Sequence, residues 1–434
     1  MSTKKKKNKN LKKNKSFKKS KLKTNKKKIR VKKYDTKIKK SKAIITPEIG
    51  DTKKKIPLGG KVYILYTGGT IGMSHSDKEG LIPIKGTLIK LIKKLGIDAQ
   101  LNIEYVLDRT NPLIDSSNLT NINWKKILEK LLANRYKYDS FIVLHGTDTL
   151  AYTAAALSFF LKDWTQTVIV TGSQIPLFEF RNDAYRNVID SIVVSLLKIP
   201  EVLVVFGGKI LRGNCATKES STAFSAFGSP NGGLIGTIGV HIDIYKNKLL
   251  KQSPGNIPNP ITGKIISELS TSSWRISDWN SNINIQVMTI VPQNNAPLLN
   301  AIIDLKPNAI ILRTYGIGNA PVADKAFMKA LKRAISKNIV VVNTTQCMHG
   351  GVEMTYYETG KELKQLGIVG AKDMTHSASF AKLFYLFQLL GKNNTDKIKT
   401  LFEIDIAGEI TINQYDINVR NYLINYFNVY QELG

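Results

Sequence analysis

Three short segments deliver hydroxyls, a carboxylate and an amine to the ends of apolar runs. Lys61-Val62-Tyr63-Ile64-Leu65 leads into Tyr66-Thr67-Gly68-Gly69-Thr70-Ile71-Gly72, and Phe141-Ile142-Val143-Leu144 leads into His145-Gly146-Thr147-Asp148-Thr149. Val202-Leu203-Val204-Val205-Phe206 is followed by Leu211-Arg212-Gly213-Asn214-Cys215-Ala216-Thr217-Lys218-Glu219. Thr70, Thr147, Asp148 and Lys218 supply a hydroxyl nucleophile, a carboxylate orienter and an amine base, which are the parts for acyl transfer without histidine. The first glycine turn matches neither the dinucleotide fingerprint nor the phosphate loop. Taken alone such a turn is more often structural, but three of them at strand ends change that weighing.

The elements that must position these residues follow an α/β pattern. Strands are expected near 61–66, 102–107, 140–144, 167–171 and 202–206, alternating with helices near 120–133, 149–161 and 181–197, as in a largely parallel sheet that keeps its ligands at the carboxyl ends of its strands. A polar stretch rich in Asn and Pro, 246–284, reads as a linker. Strands near 285–291, 309–312 and 339–342, with helices near 322–336 and 377–391, then predict a smaller three-layer α/β/α domain. The expected division is a Lys-rich tail over 1–58, a catalytic domain over 59–245, the linker, and a second domain over 285–434.

The motifs Thr-Gly-Gly-Thr-Ile-Gly at 67–72, His-Gly-Thr-Asp-Thr at 145–149 and Arg-Gly-Asn-x-x-Thr-Lys at 212–218 resemble those of L-asparaginases of the bacterial amidohydrolase type, nearest the type I, cytoplasmic branch. The likeness runs over roughly residues 60–434, and includes Pro112–Asn118, Thr171–Pro176, Ser225–Asn231 and Leu312–Pro321. It implies the two-domain fold of that family, assembly as a homodimer or homotetramer, and hydrolysis of L-asparagine to L-aspartate and ammonia. Thr70 would attack the side-chain amide carbonyl to give an acyl-enzyme. Thr147, Asp148 and Lys218 would form the second triad, and Asp115, Ser116 and Ser117, with Thr147 and Asp148, would clamp the substrate. A lysine base must be partly neutral, which burial favours and Asp148 opposes, so the base lies between Lys218 and a water relay. The competing reading of Asp115-Ser116-Ser117-Asn118 is a helix cap, with Asn118 or Thr120 the capping residue.

Two further expectations come from the resemblance. Many relatives carry a tyrosine on the mobile loop after the first motif, where this chain has Leu81, and Tyr356 is the candidate to replace it; its competing reading is a packing aromatic beside Tyr357. Arg313, Asn319, Thr345 and Cys347 match a set that in some type I relatives binds a second asparagine, although Asp373-Met374-Thr375-His376-Ser377 departs from the acidic residue often found there. Arg313 reads equally as a structural ion-pair former.

Composition bounds the rest. The net charge of +31 belongs mainly to one end, because residues 1–55 hold 25 Lys and Arg against Asp35, Glu48 and Asp51. That segment has too little apolar surface to offset its ordering entropy and is expected to be disordered. It has no apolar core of a secretory signal, and its Lys runs suit weak phosphate contact with nucleic acid or a nuclear address, although Phe17 and Tyr34 are its only aromatics. No run nears the ~18 apolar residues of a membrane span. Cys215 and Cys347 suit a reducing compartment rather than a disulfide framework. Five histidines lack metal-ligand spacing, His145 reads as a structural hydrogen bonder, and no cofactor is implied. Two alternatives stand beside the asparaginase reading: a glutamine-hydrolysing, ammonia-releasing subunit of a tRNA-dependent amidotransferase, and a catalytically silent relative supported by Leu81.

Overall fold

The computed structural model of the chain describes residues 59–76, 80–83, 101–250 and 275–411, with 74–76 and 80–83 as strand backbone only. The Lys-rich tail, most of the expected linker and the last 23 residues lie outside them. The first strand, β1 (Gly60–Tyr66), is followed by the hairpin β2 (Met73–Ser76) and β3 (Gly80–Pro83), then by β4 (Ile103–Arg109). Helix α1 (Asn121–Asn134), β5 (Ser140–Leu144), α2 (Leu150–Phe160), β6 (Thr167–Thr171), α3 (Ala184–Ser195) and β7 (Val202–Phe206) alternate along the chain. A run of short strands closes this half: β8 (Lys209–Arg212), β9 (Thr217–Lys218), β10 (Phe227–Gly228), β11 (Gly236–Ile238) and β12 (Ile242–Ile244).

The main sheet has the order β12-β11-β8-β7-β6-β5-β1-β4. From β7 to β4 the strands are parallel, and the continuous apolar runs of β5, β6 and β7 are wholly buried because helices cover both faces. At the other end β8, β11 and β12 join antiparallel, an addition that strands of three or four residues, too short to alternate, did not announce. Pleating divides the core: Val62, Ile64, Ile142 and Leu144 face α3, whereas Tyr63, Leu65, Phe141 and Val143 face α1 and α2.

The second half repeats the logic on a smaller scale. Its parallel sheet, β13-β14-β15-β16, consists of β13 (Ile285–Thr289), β14 (Ala309–Thr314), β15 (Val340–Thr345) and β16 (Val369–Gly370). Helices α4 (Ala296–Asp304) and α5 (Lys325–Ser336) cover one face; α6 (Glu358–Gln365) packs Leu363 into the same cluster. Helices α7 (His376–Leu390) and α8 (Thr395–Phe402) cover the other face, giving the three layers expected.

Helix α2 joins the halves. Every residue from Leu150 to Phe160 except Tyr152 is buried, and a helix apolar all round must be covered all round. The main sheet covers one side and α7 the other, with Phe159 stacked on Tyr385 at 5.9 Å between ring centroids and Phe160 edge-on to the same ring at 5.2 Å. One cluster therefore runs from Phe141 and Val143 through α2 and α7 to Ile311 and Val342 of the smaller sheet.

Candidate active site

After β1 the chain turns to β4 on one side, and it later returns to β5 on the other, so the crevice between the carboxyl ends of β1 and β5 is the switch point at which such sheets bind ligands. The backbone there is tied across the gap. Both the N–H and the hydroxyl of Thr67 donate to the Leu144 carbonyl at 3.0 Å, and Ile114 N–H donates to the Thr67 carbonyl at 2.7 Å. Gly68 and Gly69 have φ of 128° and 88°, and a methyl group on Gly69 would stand 2.3 Å from Gly146 Cα. The first two motifs are thus pressed backbone to backbone, an approach only glycine permits.

Thr70 opens the 3-10 turn Thr70–Gly72 directly after this contact. Tyr66 props the turn from beneath: its hydroxyl donates to the Gly69 carbonyl at 3.4 Å and occupies the space a Gly72 side chain would need. Burial pushes the Tyr66 hydroxyl up to about 12, so it remains a neutral donor near neutral pH. Nothing local in the sequence distinguishes Tyr66 from any other strand tyrosine.

The second and third motifs meet through Lys218. Its Nζ donates to Thr147 Oγ1 at 2.9 Å and to Asp148 Oδ1 at 2.8 Å, across about 70 residues of chain. The amine is mostly covered, whereas the Asp148 side chain retains 62% of its exposure and opens toward solvent. Gln174 joins the cluster by accepting from Thr147 Oγ1 at 3.4 Å, and is itself set by Asp183, whose carboxylate takes the N–H groups of Gln174 and Ile175. Gln174 lies in one of the segments that carry the family likeness, but the pattern did not mark it as part of the site.

His145 points away from this chemistry. Its Nδ1 sits 2.8 Å from the Gly146 carbonyl and its Nε2 3.0 Å from Thr153 Oγ1, which also accepts from Trp124 Nε1. That network assigns the proton to Nδ1. Complete burial pushes the imidazole down to about 4, so it is neutral and structural, as its sequence context led us to expect.

Asp115, Ser116 and Ser117 form a turn beside the same crevice. Asp115 caps the 3-10 turn Ser116–Asn118, accepting from the N–H of Ser117 at 3.2 Å and from its hydroxyl at 2.8 Å. Of the two capping residues expected for the following helix, Thr120, with Asn123, takes that place on α1 and Asn118 does not; Asp115 caps only its own turn. Ser116 is buried against Gly146, where an added methyl would stand 2.4 Å from its Oγ, and its carbonyl accepts from the Thr149 hydroxyl at 2.8 Å. Ser116 therefore abuts the first and second motifs at their point of contact.

Other expected residues lie elsewhere. Tyr356, 72% exposed, precedes α6 and packs edge-on against Tyr357 at 5.0 Å. Arg313 is the last but one residue of β14 and Thr345 the last of the adjacent β15; the Thr345 hydroxyl accepts from Cys347 N–H at 3.0 Å, and Asn319 Oδ1 accepts from Thr359 at 2.7 Å. Arg313 Nε and His376 Nδ1 are buried without hydrogen-bond partners among the described residues. Burial first, and then the Arg313 charge, push His376 down to about 4.

A doubly wound sheet whose switch point gathers threonines, a carboxylate and a lysine, with a smaller three-layer domain packed on it, defines a two-domain α/β amidohydrolase. The chain belongs to the asparaginase family: residues 61–250 match the model of the asparaginase N-terminal domain, and 284–402 that of the glutaminase/asparaginase C-terminal domain. It is 38% identical to L-asparaginase 1 of Escherichia coli over 353 residues, spanning 81% of this chain and 98% of the relative. It is 30% identical to a glutamyl-tRNA(Gln) amidotransferase subunit of Methanobrevibacter smithii, over 84% of this chain and 80% of that protein. The crystal structure of L-asparaginase I from Vibrio cholerae superposes with a TM-score of 0.69 at 34% identity, over 81% of this chain and 99% of that one.

Proposed function

We propose that the protein hydrolyses L-asparagine to L-aspartate and ammonia, with Thr70 as the nucleophile. The observation that carries this reading is the Lys218 amine, 2.9 Å from the Thr147 hydroxyl and 2.8 Å from the Asp148 carboxylate, beside the Gly69–Gly146 contact from which the chain leads directly into Thr70 and Thr147. A hydroxyl is a weak nucleophile until a base takes its proton. Lys218, acting with Thr147 directly or through a water relay, supplies that base. Thr70 Oγ1 then bonds to the amide carbon, the carbon–nitrogen bond breaks, and the amine leaves as ammonia after receiving a proton. Water cleaves the resulting ester to free aspartate and the threonine. The oxyanion that forms at each stage needs fixed N–H donors, and the glycine turns at this strand end are rich in them; one such donor is typically worth about 3 kcal/mol of barrier.

Asp115, Ser116, Ser117 and Asp148 hold the α-amino and α-carboxylate groups of the substrate in this reading. Tyr356 supplies the hydroxyl missing at Leu81. Arg313, Asn319, Thr345 and Cys347 hold a second asparagine, an assignment that the unpartnered Arg313 Nε supports and that a hyperbolic saturation curve would count against. The enzyme acts as a cytoplasmic homodimer or homotetramer, and its Lys-rich tail gives weak, salt-dependent contact with nucleic acid or a nuclear address.

The test is ammonia release from asparagine and glutamine, using the full chain, a chain lacking residues 1–55, and Thr70→Ala. Asparagine-selective release that survives loss of the tail and vanishes with Thr70→Ala is expected. Silence on both substrates would overturn the proposal.

A further inference from the structure

The hairpin that carries Lys218 is too short to hold an amine to a fraction of an ångström. Strands β9 and β10 pair Thr217 with Gly228 and Lys218 with Phe227, and the pairing stops just beyond, where the Glu219 and Ser220 N–H groups both donate to the Ala226 carbonyl. Three residues past β10, however, the side chain of Asn231 reaches into the second half of the molecule. Its Nδ2 donates to the Gly350 carbonyl at 2.9 Å and to the Asp373 carbonyl at 2.8 Å, and its Oδ1 accepts from Gly350 N–H at 2.9 Å. Both amide hydrogens and one oxygen lone pair are used, each on backbone, so the clamp depends on main-chain position and not on a flexible partner.

Both ends of the clamp are themselves fixed. Gly350 has φ of +83°, and a side chain on Gly351 would meet the Lys372 carbonyl at 2.6 Å, so that loop has no slack. Asp373 accepts the N–H of Thr411 on its carboxylate at 2.9 and 3.1 Å. On the hairpin side, a side chain on Gly232 would stand 3.0 Å from Cys215 Sγ, so the chain leaving Asn231 folds back onto the segment that enters β9.

We infer that Asn231 is a positioning residue for the reaction: by tying the β9–β10 hairpin to the Gly350 and Asp373 backbone, it sets where the Lys218 amine stands against Thr147 and Asp148. The inference rests on the role given to Lys218 above. A displacement of about 1 Å from such a cause can cost up to ~100-fold in rate without touching substrate binding.

The experiment measures ammonia release from asparagine against pH, in the full chain, for Asn231→Ala, Asn231→Asp, His349→Ala, Lys218→Met and the Asn231→Ala/Lys218→Met double variant, with the folded fraction read from circular dichroism. Asn231→Asp keeps the side-chain volume but replaces the two donors with a carboxylate that the Gly350 and Asp373 carbonyls repel, so it releases the clamp by a second route and carries the test if the alanine variant fails to fold. Both Asn231 variants are expected to lower kcat per folded molecule about tenfold or more, with KM changed less than about threefold and the pH–kcat profile displaced. His349→Ala, which removes a ring contact to the neighbouring Pro230 carbonyl, should leave kcat unchanged. In the Lys218→Met background, Asn231→Ala should add less than about a twofold effect. A folded Asn231 variant with the original kcat and pH profile, or one that slows the Lys218→Met enzyme as much as the parent, overturns the inference. If Lys218→Met itself keeps the full rate, the fault lies in the role given to Lys218.

Discussion

Of the lysines that pair with carboxylates, Lys218 and Lys382 differ in almost every respect but distance. Lys218 meets Asp148 at 2.8 Å with 22% of the lysine and 62% of the aspartate side chain open to solvent. Lys382, on α7, meets Glu409 at 2.5 Å with neither side chain exposed. Glu409 also accepts the N–H groups of Ile406 and Ala407, while Lys382 donates to the Ile404 carbonyl, so the sealed pair shapes a loop. That loop then receives the side chains of Asn214 and Cys215 on its Ala407 and Gly408 carbonyls. Where water can enter, a lysine can gain and lose a proton and a substrate can reach it. Where water is excluded, the same pair of groups holds backbone in place.

The contrast breaks first at the nucleophile. Thr70→Ala should abolish ammonia release, a loss of roughly 10³-fold or more, with a thermal midpoint close to the parent. Lys218→Met should cost about 10²-fold in kcat and less than ~1 kcal/mol in stability, since a half-open ion pair contributes little to folding. Lys382→Met should show the reverse pattern: about 3–5 kcal/mol lost in urea unfolding, because Glu409 is left charged and buried. Equal stability losses for the two methionine variants would dissolve the distinction.

A subtler test is pH. Asp405 is pushed up to about 8, by burial and then by the Glu409 charge; Lys382 and Arg212 are the cations and Cys215 the thiol that face the pair. Burial is the strongest single influence on Glu409 and pushes it up, but the Lys382 ammonium together with hydrogen bonds from Asp405, Lys382 and the Ala407 N–H outweighs it and holds that carboxyl below its ordinary range. Because the folded state keeps a proton on Asp405 that the unfolded chain releases near 4, the stability this group contributes is complete at low pH and is lost as pH rises toward 8. Asp405→Asn should flatten that fall in denaturant midpoints between pH 5 and 8; an unchanged slope would place the proton elsewhere. The smallest effect is expected at Tyr356→Phe, a drop of about tenfold or less in kcat with no change in stability, measured by ammonia release.

Much of this was legible beforehand because it is local. The apolar runs of β1, β5, β6 and β7 end in glycines and hydroxyls, so the strands and the residues they present could be read together. The pairing of Lys218 with Thr147 was reachable only through the family likeness, since no spacing rule links residues about 70 apart. Tyr66, Gln174 and Asn231 stayed hidden for the same reason: each acts through a carbonyl or hydroxyl remote in sequence or indistinct from its neighbours. The sealed Lys382–Glu409 pair was missed because α7 reads as an ordinary apolar helix with one lysine in it.

The all-round burial of α2 also bears on how the protein comes apart. Neither half can be detached without exposing part of a helix that meets water only at Tyr152, so a fragment ending near residue 250 would present Phe159 and Phe160 to water and aggregate. Heating the intact chain should therefore produce one calorimetric peak, in which the helix that follows the His145–Thr149 segment is the last shared rivet between two sheets.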